Sequence, residues 1–218
     1  MKIATWNVER LKHRNKLNEL MRCCDECDAD ILVLTETDRH LSPSYPHCTE
    51  TLPLHDAVIG YNPTERRVSI FSKYPCIRKY ATYDEYTTIC GEFETESGNL
   101  LVYGTIIGVF GNRHHTFSEA LTKQIEDVRR LSSLGKKLCI CGDYNCSFSD
   151  NYYFTKDGRS QLLDAFEQIG VRILTLDVPE CVDHIAVSAD FVGDANIEVS
   201  EWNVHKFLSD HKGVAVLI

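Results

Sequence analysis

Polar side chains with the chemistry to bind a metal ion or move a proton stand at the ends of several apolar runs in this sequence. They are carboxylates, amides and one histidine: Asn7, Glu9, Glu36, Asp143, Asn145, Asp183, Asp210 and His211. Carboxylate and amide oxygens are typical ligands of hard divalent cations such as Mg²⁺ and Mn²⁺. A histidine beside a carboxylate suits proton transfer near neutral pH. Such a set predicts a site that combines metal binding with proton transfer, provided that the fold brings its members together.

Each of these residues also has a purely structural explanation when it is taken alone. Asp and Asn at strand ends commonly form turns, because their side chains hydrogen-bond the backbone that follows. A single Glu after a strand is usually solvated, and His211 alone would serve as a structural hydrogen-bonding group. The functional interpretation therefore depends on the combination of residues, their order and their flanking segments.

The apolar runs have the length and composition of strands, and amphipathic segments lie between them. The predicted strands are residues 3–6, 31–34, 68–71, 87–93, 100–107, 138–141, 182–187, 197–204 and 214–218. The predicted helices are residues 17–24, residues 117–131 after a Thr116/Glu119 capping box, and residues 160–168, which stop at Gly170. Several strand pairs leave no room for a helical crossover, so the pattern favours mixed sheets. We predict two mixed β-sheets packed face to face, with helices outside.

Five short segments, taken in order, resemble the endonuclease/exonuclease/phosphatase superfamily of metal-dependent phosphoesterases. That superfamily includes exonuclease III-like AP endonucleases, DNase I and inositol polyphosphate 5-phosphatases. The matching segments are Thr5-Trp6-Asn7-Val8-Glu9, Leu34-Thr35-Glu36, Gly142-Asp143-Tyr144-Asn145, Val182-Asp183-His184-Ile185 and Ser209-Asp210-His211. The resemblance implies a DNase I-like fold, a four-layer α/β/β/α sandwich. The length of 218 residues, usual for one α/β or all-β domain, predicts a single domain over residues 1–218.

The resemblance implies a role for each site residue. Glu36 would be the principal ligand of Mg²⁺ or Mn²⁺, helped by Asn7, Glu9 and Asp210. The remaining four would be catalytic: Asp143, Asn145, Asp183 and His211. Asp143 would orient or deprotonate the attacking water, and Asn145 would donate its amide to the phosphate. His211 would act as acid, base or phosphate donor, with its tautomer fixed by Asp183. Whether Asp143 or His211 is the base stays open.

One family feature is missing after the central predicted strand. Many members place a Tyr or His there to contact phosphate, but residues 105–109 read Thr-Ile-Ile-Gly-Val. The predicted substitutes are Asn112, His114 and His115, although the His pair would also suit an exposed loop. Arg67 is a further candidate phosphate contact, with a solvated Arg66-Arg67 turn as the structural alternative.

Charge and aromatic residues constrain the substrate. The formal net charge of −9 and the pI near 5.4 count against a broad electrostatic hold on nucleic acid, but not against a phosphate ester bound through a cation. The basic clusters are Lys12-His13-Arg14, Arg66-Arg67 and Lys136-Lys137, the last expected at the end opposite the site. Tyr152, Tyr153 and Phe154 would stack on bases or pack in the core.

The 10 cysteines admit two interpretations. Cys24 and Cys27 form a CxxC, and a zinc or redox module is one alternative. Cys24 lies on the apolar stripe of a predicted helix, and Cys139 and Cys141 lie in a predicted strand, so buried free thiols are favoured. No apolar run is long enough to span a bilayer, and no signal peptide precedes the first strand, so we predict a cytoplasmic protein.

These observations lead to one favoured function and two alternatives. The favoured function is a divalent-metal-dependent nuclease or phosphodiesterase that uses a water activated by Asp143 or His211. The first alternative is a phosphatase of a small phosphorylated metabolite or lipid headgroup. The second is a binding protein that kept the fold without activity. Substrate, number of metals and oligomeric state are left open by the sequence.

Overall fold

Two six-stranded sheets form the body of the protein, which a computed structural model describes over residues 1–108 and 116–218. The first sheet contains β1 (Lys2–Asn7), β2 (Ile31–Asp38), β3 (His47–Glu50), β4 (Glu65–Ser72), β11 (Glu198–Trp202) and β12 (Gly213–Leu217). The second contains β5 (Cys76–Tyr80), β6 (Thr88–Thr95), β7 (Gly98–Ile106), β8 (Lys137–Asp143), β9 (Val171–Ile173) and β10 (Asp183–Ser188). Their orders are β11-β12-β1-β2-β4-β3 and β5-β6-β7-β8-β10-β9.

Helices cover the outer faces of the sheets. They are α1 (Leu17–Cys27), α2 (Phe117–Ser132) and α3 (Lys156–Gln168), while the single turn α4 (Ala189–Val192) follows β10 and places Val192 in the core between the sheets. Among the described strands, only the β1/β2 and β7/β8 pairs are parallel. Each of these pairs is joined through a helix, α1 or α2, because parallel neighbours need a crossover connection. No helix in the described ranges combines the length and apolar character needed to cross a bilayer.

Three apolar cores separate the four layers. The central core lies between the sheets and contains Ile3 and Val33 from the first sheet and Val102 from the second. A second core packs α2 and α3 against the second sheet, and a third packs α1 against the first. Residues 31–34 are apolar throughout because their side chains alternate between the central core and the α1 core, both of which exclude water. The predicted α/β/β/α sandwich of two mixed sheets is confirmed.

The strands that the sequence did not predict share a physical reason. β3, β5 and β9 each lie at the edge of a sheet, where one side of the strand meets solvent. β5 has no buried residue and β3 has one, so neither has the apolar run that identifies a central strand. Edge strands of this kind depend on their neighbour for their conformation.

The helix termini agree with the sequence signals in most respects. The predicted capping box at α2 is present, with Thr116 and Glu119 bonding each other's backbone amides. α3 begins at Lys156, four residues earlier than predicted, because Thr155 caps it by accepting from the Gly158 amide. The chain leaves α3 through Gly170, whose φ of 67° is the left-handed conformation that glycine adopts without strain.

Candidate active site

The topology brings four of the predicted residues to one edge shared by both sheets. Asn7 ends β1, and Asp143 ends β8. Asp183 begins β10 and lies directly opposite Asp143, because β8 and β10 are antiparallel. His211 precedes β12, which runs antiparallel to β1, and the Trp6 indole donates to the His211 carbonyl oxygen over 3.1 Å. Residues 204 positions apart in sequence, Asn7 and His211, therefore lie at the same edge.

Asp143 is the buried centre of this group, with 1% of its surface exposed. Asn7 Nδ2 donates to Asp143 Oδ2 over 3.0 Å, a contact that joins the first sheet to the second. The backbone amide of Asn145 donates to Asp143 Oδ1 over 2.8 Å. Burial raises the pKa of Asp143 to about 7; His211 opposes this rise and Asp183 adds to it. A carboxylate with a pKa near neutrality can both orient a water molecule and accept its proton.

Asn145 has its side-chain amide engaged in the protein. Asn145 Nδ2 donates to the Ile107 carbonyl over 2.8 Å and to Asp143 Oδ2 over 3.3 Å. Its φ of 48° is left-handed, which Asn tolerates better than most residues. In this state Asn145 holds Asp143, and a bond to phosphate would require it to exchange one of these partners.

The glycine of the Gly142-Asp143-Tyr144-Asn145 segment is required by the approach of β7. Gly142 has a φ of 141°, and a Cβ atom there would lie 1.9 Å from the Thr105 carbonyl oxygen. A larger residue would push β8 away from β7 and displace Asp143, which follows immediately. The motif therefore begins with glycine because the strand backbones pass too closely for a side chain.

His211 and Asp183 form a tight charged pair. His211 Nδ1 lies 2.6 Å from Asp183 Oδ2, and Asp183 is 1% exposed. Burial lowers the pKa of His211, but the negative charges of Asp183 and Asp143 outweigh it and raise that pKa to about 10. His211 is therefore an imidazolium at neutral pH, with Nδ1–H donating to Asp183. Its other ring nitrogen, Nε2, lies 3.5 Å from Asp210 Oδ1.

His184, beside Asp183, has a structural role. Its Nδ1 lies 2.9 Å from Thr175 Oγ1, and its Nε2 lies 2.9 Å from the Cys146 carbonyl oxygen. Burial lowers its pKa to about 4, against the effect of these hydrogen bonds. The neutral ring ties the loop after Asp143 to β10 and so helps to hold Asp143 opposite Asp183.

Asn203 positions His211 and was missed by sequence reasoning. Asn203 Nδ2 donates to the carbonyl oxygens of Ser209 and His211 over 2.9 and 2.7 Å, and its Oδ1 accepts from the Leu208 amide over 3.0 Å. Its φ is 51°. An Asn eight residues before a histidine carries no recognisable sequence signal, because these contacts exist only once the loop has closed.

Replacing Asn203 with alanine is expected to destabilise the protein by about 2 kcal/mol and to lower activity on a phosphodiester. The change leaves the Ser209 carbonyl and the Leu208 amide without their Asn203 partner and removes one of the two hydrogen bonds to the His211 carbonyl, which keeps the Trp6 indole. It also places alanine, which has no side-chain hydrogen bond, at a positive φ. Thermal unfolding and initial rates would measure the two effects. An unchanged melting temperature and an unchanged rate would contradict the assigned role. Asn151→Ala, on an exposed part of the chain, is the control.

The predicted acidic ligands lie around the same edge but are paired with cations of the protein. Glu9 accepts from Lys12 and from the Asp210 amide, the latter over 3.2 Å. The pKa of Lys12 is raised first by its hydrogen bond to Glu9 and further by the charges of Asp210 and Glu36. Three carboxylates therefore act on one ammonium group, which marks a place that attracts positive charge.

A second grouping of possible ligands is tighter. Among the described residues, one set of three or more His, Cys, Asp or Glu side chains lies close enough to share an ion: Asp143, Asp183 and His211, with ligand atoms within 4.8 Å of one another. Asp183 Oδ1 in this set is buried and has no hydrogen-bond partner. The oxygen-rich donor set of the whole edge fits a hard divalent cation. The protonated His211 does not fit as its ligand, because metal binding needs the neutral ring.

Glu36 is held by Arg67, which corrects the expectation for that arginine. Arg67 Nη1 donates to Glu36 Oε1 over 2.7 Å, and Nη2 donates to the Tyr61 hydroxyl. Arg66 and Arg67 are 4% and 1% exposed within β4, so the predicted solvated turn is wrong. With so little exposure Arg67 is not placed to contact a substrate. It lies in a strand flanked on both sides, where the carboxylates of Glu36 and Glu50 compensate the arginine charges.

The predicted phosphate contacts, the cysteines and the Lys136-Lys137 pair have different outcomes. Asn112, His114 and His115 lie outside the described residues. Ile106 and Ile107, at the end of β7, are buried. The cysteines are all free thiols, with Cys24, Cys139 and Cys141 buried as predicted and no described cysteine in a metal-like cluster. Lys136 and Lys137 pair with Glu92 and Asp190 around the start of β8, at the end opposite Asp143.

Comparison with known proteins gives the same fold at low sequence identity. A 3'-5' exonuclease (NExo) from Neisseria meningitidis is 17% identical with a TM-score of 0.70, covering 100% of this chain and 99% of that one. An AP endonuclease from Archaeoglobus fulgidus is 15% identical with a TM-score of 0.66 and the same coverages. A beta toxin variant from Staphylococcus aureus with bound magnesium ions is 16% identical, TM-score 0.64, covering 99% and 98%.

Two comparisons based on the sequence give different results. A search of curated protein sequences gives no match. A protein-family model, in contrast, matches residues 4–211, which includes every segment on which the resemblance was based. The chain therefore belongs to the Endonuclease/Exonuclease/phosphatase family.

Proposed function

We propose that this protein is a Mg²⁺- or Mn²⁺-dependent phosphodiesterase that acts on nucleic acid. The observation that carries the proposal is the buried Asp143, which is bonded to Asn7 and lies beside the His211–Asp183 pair. Family membership gives metal-dependent hydrolysis of a phosphate ester. The choice of metal, of nucleic acid and of residue roles is our proposal.

Glu36, Asn7, Glu9 and Asp210 are the residues that would hold the cation. When bound, such a cation supplies a positive charge on a non-bridging phosphate oxygen and so lowers the barrier to attack. Arg67 orients Glu36 through the 2.7 Å hydrogen bond from its Nη1 to Glu36 Oε1. Lys12 would leave Glu9 as the divalent ion replaced its charge. The side chain of Lys12 is mostly exposed, so it can move without disturbing the core.

Asp143 and His211 divide the proton transfers in this proposal. Asp143, with its pKa near 7, receives the proton of the attacking water. His211 is already protonated, and its Nε2–H faces away from Asp183, so it would donate to the phosphate or to the leaving oxygen. Asp183 keeps the ring oriented and charged. We therefore assign Asp143 as the base, because the imidazolium has no lone pair to accept a proton.

The solved relatives support a nucleic acid substrate over other phosphate esters. Two of them are described as a 3'-5' exonuclease and an AP endonuclease, and a third contains magnesium ions. We further propose a cytoplasmic location, because all ten cysteines are free thiols, as is usual in a reducing compartment. The single domain over residues 1–218 stays a prediction.

The test is a substrate panel with Mg²⁺, Mn²⁺ or EDTA. The panel contains abasic duplex, single-stranded DNA, RNA, inositol phosphates and a chromogenic diester. We expect cleavage of nucleic acid with either metal and none with EDTA. Glu36→Gln should weaken Mn²⁺ binding at least about tenfold by calorimetry, while Glu26→Gln, on exposed α1, should bind as wild type. Turnover of the inositol phosphates without nucleic acid cleavage would favour the phosphatase alternative. No metal-dependent turnover on any ester would reject enzymatic function.

A further inference from the structure

We infer that exposed aromatic side chains beside His211 form a stacking surface for the unpaired nucleotides of a nucleic acid substrate. We call this surface the aromatic strip; it consists of Tyr152, Tyr153, His205 and Phe207. The inference rests on the proposed function and deepens it, because it specifies a single-stranded segment next to the cleaved bond.

The side chains of the strip are exposed although the protein has three apolar cores in which to bury them. Tyr152, Tyr153 and Phe207 are 48%, 57% and 68% exposed. Phe154 behaves differently, since it packs against the core between the second sheet and helices α2 and α3, with the guanidinium of Arg159 3.8 Å over its ring. Of the three aromatic residues in this loop, therefore, Phe154 packs on the protein while the two tyrosines face solvent. Core packing does not account for the tyrosines.

The strip begins at the active site itself. Tyr152 and Tyr153 line a cavity of about 250 Å³ together with Asn145, Asp210 and His211. A phosphate held at His211 would therefore have its neighbouring nucleotide over the tyrosine rings. Every nucleotide base has a flat aromatic face, so stacking on these rings would not depend on the base sequence.

The two loops that carry the strip are fixed to each other. Lys206 Nζ donates to the Tyr152 hydroxyl over 2.6 Å and lies 4.1 Å from the centre of its ring. The rings of His205 and Phe207 flank Lys206 in sequence and lie 5.8 Å apart. Asn203 anchors this loop, since its carbonyl accepts from the Lys206 amide over 2.8 Å. The strip is thus ordered before any ligand arrives, which lowers the entropy cost of binding.

Positive charge accompanies the strip and complements a phosphate backbone. Lys16 Nζ donates to the Phe207 carbonyl over 3.1 Å, and Lys206 lies between the aromatic residues. Lys12 is bonded to Glu9, which in turn accepts from the Asp210 amide near the end of this loop. Lys212 also lines the cavity, but it is engaged by Glu201 over 2.6 Å and is not assigned a role. In a chain with a net charge of −9, lysines beside an exposed aromatic row are the local pattern of a single-strand binding groove.

Unpaired nucleotides fit this surface better than a duplex. In a duplex the faces of the bases are covered by their neighbours and cannot stack on tyrosine or phenylalanine. In a single strand, a loop or a frayed end those faces are free. Phe207 does not line the cavity at His211, so a small phosphorylated metabolite bound in that cavity would have no use for it.

The test measures binding without turnover. In an Asp143→Asn background with Mg²⁺, fluorescence anisotropy would compare a fluorescein-labelled 12-nucleotide single strand with a blunt duplex of the same sequence. We expect the single strand to bind at least about tenfold more tightly. Tyr152→Ala and Phe207→Ala should each weaken single-strand binding about tenfold, while Tyr152→Phe should keep most of it, because the ring is retained. Leu134→Ala is the matched control: Leu134 is 47% exposed and precedes β8 at the opposite end.

Three outcomes would overturn the inference. One is equal single-strand affinity in wild type, Tyr152→Ala and Phe207→Ala; another is equal binding of single strand and duplex. The third is co-sedimentation with phosphatidylserine/phosphatidylcholine vesicles that is lost in these variants while oligonucleotide binding is unchanged, which would make the strip a membrane contact. Wild-type hydrolysis of the chromogenic diester, assayed in parallel, tests the proposed function separately, so that either claim can fail alone.

Discussion

Replacing Asp143 with asparagine is expected to reduce kcat on a phosphodiester by about a thousandfold. The change removes the group that receives the proton of the attacking water, and a positioned base typically contributes about 10²- to 10⁴-fold. The asparagine has the shape of Asp143 and keeps one oxygen that can accept from the neighbouring amides, so the fold should survive although the other position no longer accepts. Initial rates with Mg²⁺ on a labelled single strand would measure the loss, and circular dichroism would check the fold.

The control for this variant is in α4, beside the other end of β8. Asp190 pairs with Lys137 at the start of β8, and Asp190→Asn should leave turnover unchanged. A rate for Asp143→Asn within tenfold of wild type would show that Asp143 is not the base. In that case His211 would have to accept the proton, which requires it to be neutral in the working enzyme.

His211→Ala is expected to cost about a thousandfold in kcat/KM, and Asp183→Asn about a hundredfold. The first change removes the donor to the phosphate, and the second removes the charge that keeps the ring protonated and oriented. Because the two residues act as a pair, the double variant should be no slower than His211→Ala. His47→Ala, an exposed histidine at the start of the edge strand β3, serves as the control. Additive losses in the double variant would show that Asp183 does not act through His211.

The contact between His211 and Asp183 also predicts a titration behaviour that can be measured without an activity assay. In the metal-free protein, NMR titration of the His211 ring should give a pKa of about 10, and Asp183→Asn should lower it. The folded-state pKa lies above the ordinary value of about 6.5. The pair therefore contributes stability that is fully present below about pH 6.5 and is lost as pH rises through 10. A wild-type His211 that titrates near its ordinary value would contradict the assignment of an imidazolium donor.

The sequence by itself determined the parts that depend on local pattern. Apolar runs such as residues 31–34 predicted the central strands, because a strand covered on both faces must be apolar throughout. Thr116 and Glu119 predicted the start of α2, because a capping box is formed within four residues. The order of the polar segments around Asn7, Asp143 and His211 predicted the family, which the match to residues 4–211 then confirmed.

Only the tertiary structure decided whether several polar and aromatic side chains are buried, paired or exposed. Arg67 reads as a surface charge in sequence, but its burial against Glu36 follows from β4 being flanked on both sides. Asn203 acquires its role when the loop closes on Ser209 and His211. Tyr152 and Phe154 are near neighbours and both aromatic, yet Tyr152 is largely exposed and Phe154 packs against the core of the second sheet. The burial and pairing of these side chains depend on contacts between segments that are far apart in sequence. Such contacts produce no local pattern, so the sequence does not reveal them.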